Sequence, residues 1–173
     1  MGDSYDYQKN SYLIGGALVN TKSFFLHPNF LILDVDAGYF PETSRDNFIV
    51  IPDQAEVRTL KNLNIRTTLF NQKKITLSTF ANFNETYQNR EYLTDVKSKS
   101  KQWGGALFYS NKFLPLTVNF SKIQLEQKEI PSGRKFNMDE NIFQGKTSKS
   151  FTSRDRHELN YSHNESEIQN IFR

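Results

Sequence analysis

Between Asn29 and Phe40 the chain reads NFLILDVDAGYF, and its apolar and polar positions alternate. Leu31, Leu33, Val35, Ala37 and Tyr39 make one unbroken apolar face. Phe30, Ile32, Asp34, Asp36, Gly38 and Phe40 make the other, which is polar in its middle. A period of two residues is the signature of a β-strand with different surroundings on its two sides. Such a run is about twice the five or six residues of an ordinary globular strand.

The pattern recurs. Val57, Thr59, Leu63, Ile65, Thr67 and Leu69 share one face, opposite Arg58, Leu60, Asn62, Asn64, Arg66 and Thr68. Ile75, Leu77, Thr79, Ala81, Phe83 and Tyr87 then face away from Thr76, Ser78, Phe80, Asn82, Asn84 and Thr86, with Glu85 breaking the apolar side. Trp103, Gly105, Leu107 and Tyr109 alternate with Gln102, Gly104, Ala106, Phe108 and Ser110, and Leu116, Val118 and Phe120 with Thr117, Asn119 and Ser121. Tyr12 to Phe25 is strand-like around Gly15-Gly16. A weaker strand is expected near His157 to His163.

The links between these runs divide into two kinds. His27-Pro28-Asn29, Asn71 to Lys74 and Asn111 to Pro115 are short and rich in turn-forming residues. Residues 41–56, 88–101 and 127–153 read as long polar loops, so short and long links alternate. This predicts an all-β, antiparallel up-and-down meander. Residues 1–11 are expected to form a flexible N-terminal segment and residues 12–173 a single domain.

Composition narrows the function classes. The chain has 173 residues, 14% of them aromatic, and no cysteine. It therefore has no disulfide framework, thiolate metal site or cysteine nucleophile. No stretch approaches the ~20 apolar residues of a membrane-spanning helix. Net charge is +3, from 22 basic and 19 acidic residues interspersed along the chain. Nucleic-acid binding needs basic residues gathered on one element, and the runs 97–101 and 146–156 read instead as solvated loops. His27 sits in a proline turn, and His157 and His163 are too far apart on a strand to share a metal. No phosphate-binding glycine loop, nucleophile elbow or zinc motif is present. Neither catalysis nor a cofactor or metal is expected.

The runs 23–40, 73–88 and 104–122 (SFFLHPNFLILDVDAGYF, KKITLSTFANFNETYQ and GGALFYSNKFLPLTVNFSK) resemble strand–turn–strand units of large bacterial outer-membrane β-barrel proteins. The resemblance covers most of residues 12–125 and is one of pattern. It implies a transmembrane β-barrel or part of one, in the outer membrane of a Gram-negative bacterium. The polar N-terminus and the ending Ile171-Phe172-Arg173 depart from such barrels, and suggest a segment that closes with the remainder of a larger barrel or with further copies of the chain. The lipid bilayer would then be the main partner. Asp34, Asp36, Arg58, Asn62, Asn64, Arg66, Asn82, Asn84 and Asn119 become candidate lumen-facing residues of a porin-like pore. Phe25, Tyr39, Tyr87, Trp103 and Phe113 become candidate membrane-interface aromatics. A soluble all-β module, such as a sandwich binding carbohydrate or protein through its loops, is the alternative. Lys61 and Glu85 on the apolar faces argue for it, because a lysine at the bilayer midplane costs about 2–4 kcal/mol.

Overall fold

The computed structural model describes residues 9–47, 54–90, 95–111, 113–149 and 155–172. Every regular element is a strand: β1 (Lys9–Ile14), β2 (Ala17–Phe25), β3 (Leu31–Asn47), β4 (Gln54–Leu69), β5 (Ile75–Arg90), β6 (Val96–Tyr109), β7 (Leu116–Glu129), β8 (Lys135–Lys149) and β9 (His157–Ile171). All pairings are antiparallel, and from β3 onward each strand pairs with the next, so the sheet is an up-and-down meander. The all-β expectation holds.

β1 and β2 both pair with β3, and they are two parts of one run. Ile14 lies opposite Glu42 and Ala17 opposite Tyr39, a single register carried through Gly15 and Gly16. The interruption falls opposite Pro41, which has no N–H to donate to the ladder. Gly15 N–H still donates to the Pro41 carbonyl at 3.1 Å. The described strands thus make eight long runs. The sheet is open: among the described residues no pairing joins β9 back to β1 or β2.

The loop expectation is corrected. The wholly described connections, 26–30, 70–74 and 130–134, are each five residues. Residues 41–47 and 54–56 extend β3 and β4, and 88–90 and 96–101 belong to β5 and β6. The stretch 127–153 holds the end of β7 and all of β8. Pro131-Ser132-Gly133 is the tight turn between them, with Gly133 at φ 69° and its N–H on the Glu129 carbonyl at 3.0 Å. Of the N-terminal segment expected to be flexible, residues 9–11 form part of β1, and 1–8 lie outside the described residues. Both basic runs read as loops also change: 97–101 is strand within β6, and Lys146 and Lys149 close β8.

Among the described residues no side chain, apolar or polar, is buried. Leu33 and Ile65 are half-buried, covered by neighbours in their own sheet. A sandwich requires a second sheet over the apolar side, and the described strands form one sheet.

Candidate membrane band and polar face

Residues opposite each other in an antiparallel ladder share a face, so the register sorts each strand into two sides. One row runs Phe25, Leu31, Leu69, Leu77, Leu107, Val118, Gly145, Tyr161 from β2 to β9. A second row on the same face, four pairs higher, runs Ala17, Tyr39, Lys61, Glu85, Lys99, Glu126, Asn137, Gln169. The first row is almost wholly apolar. The second is charged from β4 to β7.

An aromatic line separates the two regimes. Its members are Tyr39 on β3, Phe83 on β5, Trp103 on β6, Phe120 on β7, Phe143 on β8 and Tyr161 on β9, with Leu63 at the corresponding place on β4. Two residues beyond the line, β4 to β7 each carry a charge: Lys61, Glu85, Lys101 and Lys122. Between the line and the lower turns the face carries no Asp, Glu, Lys or Arg until Lys149, at the lower end of β8. Neighbouring steps touch, with Trp103 and Phe120 ring centroids 5.5 Å apart and those of Phe143 and Tyr161 6.0 Å apart.

The line is oblique to the strands. Tyr39 reaches Gln169 of β9 through Lys61, Glu85, Lys99, Glu126 and Asn137, yet the aromatic of β9 is Tyr161, eight residues lower. Eight residues span ~26 Å and the six strand spacings ~29 Å. If the line is level, the strands cross it at ~42° from its normal. Strands of transmembrane barrels tilt by 35–45°. Along β3 the apolar stretch Leu31 to Tyr39 is ~26 Å long, or ~20 Å high at that tilt.

At the lower rim Phe30 and Phe70 meet edge to face at 5.6 Å, and Phe113 in the β6–β7 turn lies 3.4 Å from Lys149 Nζ, ring centroid to nitrogen. Of the five aromatics singled out from the sequence, Tyr39 and Trp103 stand on the upper line, and Phe25 and Phe113 stand by the lower turns. Tyr87 shares their face but lies beyond Glu85. Phe83, Phe120, Phe143 and Tyr161 were missed because the line becomes legible only once the register is known.

Beyond the line, charges pair on the surface. Glu85 lies 3.6 Å from Lys61, 3.4 Å from Lys97 and 4.0 Å from Lys99. Desolvation pushes the Glu85 carboxyl up. The hydrogen bond and charge of Lys97, then the charges of Lys61 and Lys99, outweigh it and hold the group below its ordinary value.

The nine candidate lumen residues all occupy the opposite face. Asp34 lies between Arg66 and Lys22, with Lys22 Nζ 3.9 Å away. Asp36 lies between Asn64 and Asn20, whose amide donates to it at 2.8 Å. Asn62 is opposite Asn84 and Asn64 opposite Asn82, and the Asn82 amide donates to Gln102 at 3.4 Å. Arg58 lies opposite Glu42 and Gln88, and it contacts Glu56 at 2.6 Å. Asn119 stands apart, between Ala106 and Gln144. Lys22, Asn20, Glu56, Gln88 and Gln102 belong to the same polar surface and were missed because strand pairing alone brings them together. This face carries amides and offset charges interleaved with apolar side chains such as Leu60, Phe80 and Ile123.

Among the described residues no three His, Asp or Glu gather as metal ligands. No known family and no curated protein matches the sequence.

Proposed function

We propose that the chain is part of a bacterial outer-membrane β-barrel, with the apolar band in hydrocarbon and the amide-rich face lining a lumen that passes or excludes solutes. The observation that carries this reading is the oblique aromatic line, with an uncharged field on one side and a charged one on the other. A face packed on a second sheet has no reason to change from apolar to charged along a slanted front. A face crossing from hydrocarbon into water changes at one plane, and tilted strands meet that plane at different residues.

The upper half of each strand then stands above the membrane, and Lys61 and Glu85 stand with it. The outer edges of β2 and β9 cannot remain unpaired in lipid, because each unsatisfied backbone group there costs several kcal/mol. Further strands of a larger barrel are the proposed neighbours. Asp34 and Asp36 against Lys22 and Arg66 give this part of the lumen surface balanced charge, which suits a weakly selective path.

Cysteine scanning tests the reading on a clean background, since the chain has no cysteine. Single cysteines at Val35, Ile65 and Ala81 in lipid vesicles should resist a water-soluble maleimide and react with a lipid-soluble one. Cysteines at Asp36, Asn64 and Asn82 should show the reverse. Equal labelling of the two sets by the water-soluble reagent would reject the membrane band.

A further inference from the structure

We infer that Lys101 on β6 and Lys122 on β7 form a docking surface for phosphate-bearing lipid headgroups at the edge of the apolar band. The inference rests on the lipid-facing reading and adds the chemistry of the lipid. Lys122 lies directly opposite Trp103, and Lys101 directly opposite Phe83, so both ammonium groups sit immediately above the aromatic line. That is the level at which a headgroup phosphate lies when aromatic rings mark the interface.

The local charge is unbalanced. Glu85 already faces Lys61, Lys97 and Lys99. Asp139, on the same face, accepts a hydrogen bond from Gln124 at 2.8 Å. Glu126 stands in the patch, and among the described residues no acid lies within ion-pair distance of Lys101, Lys122 or Lys128. Higher on this face Lys97, Lys128 and Lys135 lie opposite one another on three adjacent strands. Basic residues clustered beside an apolar span attract anionic headgroups. Glu165 and Glu167 lie on β9, opposite Asn141 and Asp139, and confine the positive patch to β6–β8.

Trp103 is the only tryptophan in the chain, and it adjoins the patch. Its fluorescence reports contact with lipid whose acyl chains carry bromine. The full chain is refolded into phosphatidylcholine vesicles containing a small fraction of either brominated phosphatidylcholine or brominated phosphatidic acid. Both should quench Trp103, and the phosphatidic acid should quench several-fold more per mole. Lys101→Gln with Lys122→Gln should bring that preference close to one, and leave quenching by phosphatidylcholine unchanged. Raising salt on the unmodified chain should weaken the preference in the same way, which supplies a test independent of the variant's folding. Equal quenching by the two headgroups overturns this inference and leaves the lipid-facing reading intact. No quenching by either overturns both.

Discussion

Lys61 shows how the same residue changes meaning with its neighbours. Along the sequence it interrupts an apolar face near mid-strand, where a membrane would penalise it. In the sheet it stands opposite Tyr39 and Glu85, one step past the aromatic line, and its ammonium reaches Glu85 at 3.6 Å. Exposed pairs of this kind contribute at most about 1 kcal/mol. Ile65, four residues along β4 and on the same face, lies within the band. Ile65→Lys should therefore cost about 2–4 kcal/mol in lipid, whereas Lys61→Ile should change stability by less than about 1 kcal/mol. Urea unfolding of each variant in vesicles measures both, and similar losses at the two sites would contradict the position of the line. On the opposite face the proposed reading expects no such contrast, because a charge there would remain in water.

At the scale of the strand, legibility followed contrast between the two sides. The lower parts of β3 to β7 alternate plainly because one side is apolar and the other is not. Above the aromatic line Lys97, Lys99 and Lys101 alternate with Ser98 and Ser100, polar against polar, and the period disappears. Such stretches looked like loops for that reason. β8 was lost altogether: the line crosses it low, leaving Phe143 as its one large apolar residue on the banded face, while Phe136, Met138 and Ile142 lie on the other. Glycines mark where strands meet most closely. A methyl group at Gly104 would overlap the Phe120 carbonyl oxygen and lie 2.9 Å from Ser121 Cα, backbone atoms that cannot swing aside. Nothing lies within 4 Å of the same position at Gly145. Gly104→Ala should destabilise by about 1–3 kcal/mol through overpacking. Gly145→Ala should be neutral or stabilising by up to about 1 kcal/mol, because alanine has less chain entropy to lose. The same unfolding measurement separates them, and equal destabilisation would remove the significance given to the β6–β7 approach.

For the molecule as a whole, two features point the same way from independent observations. The first is the pair of unpaired edges. β9 runs upward and the β1/β2 run downward, so either can accept another antiparallel strand. Leu18 on one edge and Ile168 on the other remain 58% and 57% exposed. An edge this long invites pairing wherever it meets another strand, and a barrel removes the hazard by closure. The second is the slope of the aromatic line, which follows from register alone and owes nothing to the edges. Closure demands strands inclined to the barrel axis, and the ~42° obtained from the register is an inclination that a closed barrel uses. A flat single sheet adrift in water would need no common slope, since no plane would constrain where its aromatics fall. The angle is measurable directly. Polarised infrared spectra of the refolded chain in oriented bilayers give the mean strand tilt from the amide I dichroism, and a value near 42° is expected. A tilt below about 20°, or strands lying in the bilayer plane, would mean that the aromatic line is not the trace of a membrane surface, since 35–45° is the range such barrels adopt.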